Sequence, residues 1–222
     1  MSDMPGLLAF GLTFTYIRMV LFEGILIIIV FMEQLILDKA KTALVVIDLQ
    51  KGIVGRTTQP YASPDVVKNA AMIAEACRIS GVPVFLIRVT PSPDGKDALR
   101  PIADAPMPGG APASDWADIV PEMGPRPGDF VLTKHQWGAF YGTELDLELR
   151  RRGVKTIILC GISTNIGVES TARDAYERGY DQVIAEDACA AMTAEEHAFS
   201  LAKIFPRIAR IRKTADIIPA LK

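Results

Sequence analysis

Two side chains and one turn in this sequence could move protons. Asp48 closes the apolar run TALVVID, and Lys134 lies near the end of DFVLTKHQ. The stretch CGISTNIGVESTARDA (Cys160 to Ala175) leads from a buried run through a tight turn into a helical pattern. A carboxylate withdrawn from water beside an ammonium has its pKa displaced and can be held ready for proton transfer. Taken singly, Asp48 fits equally well a structural residue that binds loop amides. Lys134 alone fits a lysine whose stem lies on apolar surface while its head stays wet. Placed together at strand ends facing a helix N-terminus, the two read as chemistry. A nucleophile would be expected in the first helical turn, and the residue there is Gly167.

The elements that must position these groups follow from periodicity. From residue 42 onward, short β-branched runs alternate with helical patterns, which signals βαβ units and a parallel sheet. The strands are predicted at Thr42–Asp48, Val82–Val89, Asp129–Gln136, KTIILCG, DQVIAED and RIARIRK. Helices are predicted from Ser63 (as N-cap) to Gly81, over TELDLELRRRG with Thr143 as cap, from about Asn165 to Arg178, from the Thr193/Glu196 capping box, and over TADIIPAL. Glu169/Arg173 and Arg173/Glu177 would pair on the solvent face of the Asn165–Arg178 helix. The fold class is α/β: a doubly wound, three-layer α/β/α arrangement around a six-stranded, mainly parallel sheet. Ligands of such sheets bind beyond the carboxyl ends of the strands. Those ends gather Asp48 and Gln50, then Arg88, Lys134 and the Gly161–Thr164 turn. Residues 90–128 contain nine prolines and no sustained period, so they read as a long loop with room for a short helix near Trp116–Val120.

Composition narrows the classes. The formal net charge of −2 supplies no global field for nucleic acid or an acidic membrane. Alternation turns the arginines of RIARIRK to the outside of an edge strand, so that cluster implies no nucleic-acid partner. Cys77, Cys160 and Cys189 are too few and scattered for a disulfide framework or zinc knuckle, and they fit buried thiols in a reducing, cytoplasmic setting. Residues 1–31 form a hydrophobic N-terminal extension, and residues 32–222 the domain proper. From Leu7 to Phe31 there are sixteen Leu, Ile, Val and Phe residues, worth roughly 5–10 kcal/mol for insertion, while Arg18 and Glu23 cost about 5–7. Insertion is therefore marginal. Three readings stay open for this segment: a start upstream of the natural Met32, a membrane or interface anchor, and a packing or oligomerisation element.

The motifs VVIDLQ, LTKHQWGAFYGTELDLELRRRGVKTIILCGISTNIGVESTARDAYERGYDQVIAEDACAA and FPRIARI resemble the isochorismatase-like hydrolases of the cysteine hydrolase superfamily, and among them the YecD-type subgroup. The resemblance spans about residues 36–222. It implies a triad of Asp, Lys and Cys, of which the first two map onto Asp48 and Lys134 and the third onto Gly167. It also implies a non-proline cis peptide at Ile162–Ser163. Without a thiolate at 167, the acyl-enzyme route of the superfamily's amidases is closed. Isochorismatases resemble this chain in carrying Gly at that point. In them an Asp protonates the carbon of an enol ether, and water captures the resulting cation, so no nucleophile is needed.

The resemblance therefore implies hydrolysis of a small anionic metabolite with Asp48, Lys134 and Gly167 as the catalytic set. Gln50, Arg88, Trp137, Phe140, Tyr141, Ser163 and Thr164 are expected to contact substrate. The region RVTPSPDGKDALRP has no histidine, so neither a catalytic metal nor another cofactor is expected. Trp137, Phe140 and Tyr141 fit a pocket wall or an oligomer contact, and His135, opposite in strand parity to Lys134, a packing or interface role. A homo-oligomer is expected, with no membrane partner except through residues 1–31. Two rival readings are an amide or C–N hydrolase using water or a hydroxyl, and a catalytically silent ligand-binding member.

Overall fold

The computed structural model describes residues 15–22, 25–32, 34–105 and 113–222. They fall into two units that divide between Ile36 and Leu37. In the first, β1 (Thr15–Phe22) and β2 (Ile25–Met32) pair antiparallel, with Thr15 opposite Met32 and Phe22 opposite Ile25. The rest of the expected hydrophobic extension, residues 1–14 and 23–24, lies outside the described residues. Among the described residues no helix is long and apolar enough to cross a membrane.

The second unit is built on six strands: β3 (Thr42–Ile47), β4 (Val84–Val89), β5 (Phe130–Lys134), β6 (Thr156–Ile162), β7 (Asp181–Ala190) and β8 (Arg210–Arg212). Their order is β5-β4-β3-β6-β7-β8 and every ladder is parallel. The central strand β3 is buried along its whole length, as a strand covered on both faces must be. Strand order reverses between β3 and β6, since β4 and β5 are added on one side and β7 and β8 on the other. That reversal opens a crevice at the carboxyl ends of β3 and β6, where open α/β sheets bind ligands.

Helix α1 (Lys51–Val54) is a single turn, and α2 (Ser63–Ile79) is the long helix of its face. Val66, Val67, Ala70, Ile73, Ala74 and Cys77 give α2 a buried stripe at helical spacing, and it packs on β7 and on α6 (Thr214–Ala220). Each fully buried Val or Ile side chain contributes about 1.5–3 kcal/mol. The other face carries α3 (Leu145–Arg151) and α4 (Glu169–Glu177), joined through the Tyr180 hydroxyl on Asp146 at 2.9 Å. A wide π-type turn, Thr164–Val168, precedes α4, and α5 (Ala194–Phe199) packs against that turn.

Several local expectations change. Ser63 does not cap α2; it is the first helical residue, and its hydroxyl is spent on the Arg56 carbonyl and the Thr58 hydroxyl. Arg173 pairs with Glu169 at 2.9 Å and, among the described residues, not with Glu177. No helix forms at Trp116–Val120. The segment begins in a turn, with Trp116 N–H donating to Ala113 O and Asp118 N–H to Asp115 O, and continues as a strap along the residues that follow β3: Val120 N–H donates to Leu49 O, Lys51 N–H to Asp118 O and Gly52 N–H to Trp116 O. Part of the expected 90–128 loop, residues 106–112, lies outside the described residues. The capping box of α5 forms as expected, with Thr193 and Glu196 satisfying each other's backbone amides.

Candidate active site

Ile47, the last residue of β3, points to the α4 face, and regular alternation would turn Asp48 to the opposite face. Asp48 breaks the alternation: its φ is 55°, a left-handed conformation that is uncommon for a residue other than glycine and concentrates at functional sites. Its amide still donates to Ile87 O at 2.9 Å, so the strand end stays anchored while the carboxylate swings toward β5. There Lys134 Nζ donates to Asp48 Oδ2 at 2.9 Å and to the carbonyl of Trp137 at 2.5 Å. Both side chains are buried, with Asp48 5% and Lys134 1% exposed. Two of the three ammonium protons thus have protein acceptors.

The other carboxylate oxygen, Asp48 Oδ1, is buried and has no hydrogen-bond partner. Desolvation raises the Asp48 pKa from 3.8 to about 6, against the opposing pull of the Lys134 charge and hydrogen bond. Burial therefore wins over the ion pair, and the acid titrates close to neutrality. Because Oδ2 accepts from Lys134, a proton on this group belongs on Oδ1.

Gly167 closes the triangle. A Cβ built there would lie 2.9 Å from Ile47 Cγ2, 3.1 Å from Asp48 Oδ2 and 3.4 Å from Lys134 Nζ. The position thus stands directly over the pair, and a side chain could enter only by displacing core atoms. The strand that leads to it is equally tight. Gly161 has φ 129°, and a Cβ there would come within 2.0 Å of the Ile47 carbonyl oxygen, so β6 can press against β3 only with glycine. The Ile162–Ser163 peptide is cis, as the resemblance implied.

The remaining expected site residues divide. Ser163 is buried; its hydroxyl donates to Asn165 Oδ1 at 2.7 Å and its carbonyl accepts from Ile166 and Val168, so it shapes the turn below Gly167. Thr164 is fully buried and its hydroxyl lies 2.8 Å from His197 Nδ1. Trp137 and Tyr141 are exposed near Lys134, whereas Phe140 is buried and stacks on Tyr180, centroids 5.8 Å apart. The amide of Gln50 is spent within the fold: Nε2 donates to Val89 O and Trp116 O, and Oε1 accepts from Val89 N–H. Arg88 is not brought to the pair at all. In the β4–β5 register Arg88 lies beside Thr133 and Val89 beside Lys134, so Arg88 and Lys134 leave the sheet on opposite faces. His135 lies at the surface, its Nδ1 2.6 Å from Thr90 O and 3.3 Å from Asp97 Oδ2.

One contributor was missed. His197, on α5, is buried against Tyr61 and reaches the turn through Thr164; burial lowers its pKa, which favours a neutral ring. This contact gives the Thr164 hydroxyl a basic neighbour, and the pair holds the turn in place. Its only local signal was the capping box, which puts His197 one helical turn beyond Thr193. Cys160 is no substitute nucleophile, since it is fully buried and desolvation holds its thiol well above the ordinary range.

Comparison with known proteins agrees with this fold. Residues 42–216 match the Isochorismatase domain. The chain is 51% identical over 185 residues to the uncharacterized isochorismatase family protein YecD of Escherichia coli O157:H7, covering 83% of this chain and 98% of that one. It is 31% identical to the ureidoacrylate amidohydrolase RutB of Methylobacterium radiotolerans, over 70% of this chain and 69% of that one. An isochorismatase family protein from Burkholderia thailandensis superposes with a TM-score of 0.82 at 43% identity, covering 85% of this chain and 99% of that one. A doubly wound parallel sheet, a buried Asp–Lys pair at its switch point and a match over most of the domain lead to one assignment: the chain belongs to the isochorismatase family and is a hydrolase.

Proposed function

We propose that this hydrolase cleaves an enol-ether C–O bond in a small anionic metabolite by acid catalysis, without a covalent intermediate. The observation that carries the reading is Asp48 Oδ1, a buried, unpartnered oxygen on a carboxyl whose pKa stands near 6. A general acid works best with a pKa near the working pH. The Oδ1 proton passes to the terminal alkene carbon, forming a C–H bond, while a lone pair of the ether oxygen stabilises the cation. Water adds to the cationic carbon, and the hemiketal then breaks its C–O bond, releasing a keto acid and an alcohol. Lys134 fixes the carboxyl through Oδ2, leaving Oδ1 free. The substrate approaches Oδ1 from the crevice at the carboxyl ends of β3 and β6.

The experiment is turnover of isochorismate, as the representative enol ether, by the wild type and by Asp48→Ala. Turnover in the wild type that disappears in Asp48→Ala supports the reading; full activity in Asp48→Ala sinks it. A second reading, C–N hydrolysis by activated water, is favoured by the likeness to RutB, whose name states an amidohydrolase activity. It predicts turnover of ureido or amide substrates and none of isochorismate. The cytoplasmic setting belongs to the same proposal, supported by three free, buried thiols, and the homo-oligomeric state belongs to it as what the family resemblance implies.

A further inference from the structure

Arg88 has a different surrounding from the one its position at a strand end suggested. Its Nε donates to Thr133 Oγ1 at 3.0 Å, which fixes the plane of the guanidinium. Among the described residues no carboxylate lies within ion-pair distance of it, whereas Lys51 nearby is held by both Asp115 and Asp118, at 3.0 and 3.2 Å. Arg88 faces a cleft of about 330 Å³, lined also by Lys51, Asp118, Ile119, Pro121 and Val131. The cleft lies on the face of the sheet opposite Lys134, because Val131 and Thr133 share their strand parity with each other and not with Lys134.

We propose that this cleft is a second binding site, separate from the Asp48–Lys134 pair, for a small carboxylate with an apolar body. The guanidinium fork matches the two oxygens of a carboxylate, and the Thr133 hydroxyl holds it in one orientation. Lys51 is already held by two carboxylates, so Arg88 is the cation of the cleft that has no ion-pair partner among the described residues, and one such cation suits a monoanion. Asp118 at the rim repels a dianion such as phosphate. Ile119, Pro121 and Val131 supply apolar walls, and Val131 is 40% exposed without a ligand. A volume at the small end of ligand pockets fits a body of about one ring.

The test uses the full chain, calorimetric titration and amide chemical shifts, with benzoate, benzamide and inorganic phosphate as probes. Benzoate is expected to bind saturably, with shifts centred on Val131 and Thr133, and to bind at least about tenfold more tightly than benzamide or phosphate. Arg88→Gln should weaken benzoate binding about tenfold or more, and Val131→Trp, which fills the cleft from its exposed rim, should do the same. Asp48→Asn should leave benzoate affinity within about twofold, which keeps this test separate from the proposed chemistry. The proposal is overturned if benzoate does not bind, if it binds Val131→Trp as it binds the wild type, if phosphate binds more tightly, or if Asp48→Asn abolishes binding.

Discussion

The sharpest steric prediction concerns Gly167→Ala. The new methyl would sit 2.9 Å from Ile47 Cγ2, closer than real Cβ atoms come, and 3.1 Å from Asp48 Oδ2. Ile47 is fully buried in the central strand, so it cannot swing out to solvent. Inserting a methyl into such packing costs about 1–3 kcal/mol. Against this, Ala is favoured over Gly by about 1 kcal/mol within a helical turn. The net expectation is a loss of roughly 0–2 kcal/mol, lowering Tm by roughly 0–8 °C. Activity should suffer more than stability. The methyl presses on Asp48 Oδ2 and shifts the carboxyl, and a displacement near 1 Å at a reacting group costs about a hundredfold in rate. The assay is kcat for isochorismate beside a thermal melt. A fall in kcat of about ten- to a hundredfold with only a small change in Tm fits the account. Wild-type kcat in Gly167→Ala would refute the claim that the close approach of Gly167 sets the position of the acid.

Stability should also depend on pH through Asp48. Its folded pKa, about 6, lies above the ordinary 3.8, so folding favours the protonated form; the contribution is full below 3.8 and is lost as pH rises through 6. Relative to Asp48→Asn, which does not titrate, the wild type should lose about 3 kcal/mol between pH 3.5 and 8, measured by urea unfolding; a constant difference contradicts the shift. Lys134→Met removes the cation paired with Asp48 and leaves an unpaired buried carboxylate, so it should cost about 3–5 kcal/mol at pH 8 and distinctly less at pH 5. Equal cost at both pH values would exclude that explanation. For the Thr164–His197 contact, a double-mutant cycle of Thr164→Val and His197→Phe should give a coupling of about 1 kcal/mol, and no coupling would remove His197 from the support of the turn.

Much of this was legible in the sequence because it is local or periodic. The alternation of β-branched runs and helices yields the parallel sheet, and the capping box at Thr193 needs only residues three apart. What stayed hidden depends on pairing at long range. Strand parity separates Arg88 from Lys134 only once β4 and β5 are placed in register. The predicted strand DQVIAED continues to Ala190 because, after a register shift between Leu159 and Gly161, Cys189 and Ala190 pair with Gly161 and Ile162. Trp116–Val120, where the loop had room for a short helix, is a turn running into a strap because the backbone of Leu49–Gly52 takes up its hydrogen bonds. The φ of Asp48, which delivers its carboxylate to Lys134, leaves no trace in residue type. At the N-terminus, the described part of the hydrophobic extension forms two paired strands, β1 and β2.

The central claim, a protonated Asp48 acting as the acid, is tested most directly by the pH dependence of kcat/KM for isochorismate. The account predicts a plateau at low pH and a tenfold fall per pH unit above about 6, with Asp48→Asn reduced about a hundredfold or more across the range. Activity that instead rises through pH 6 to an alkaline plateau would assign Asp48 the role of a base and contradict the account.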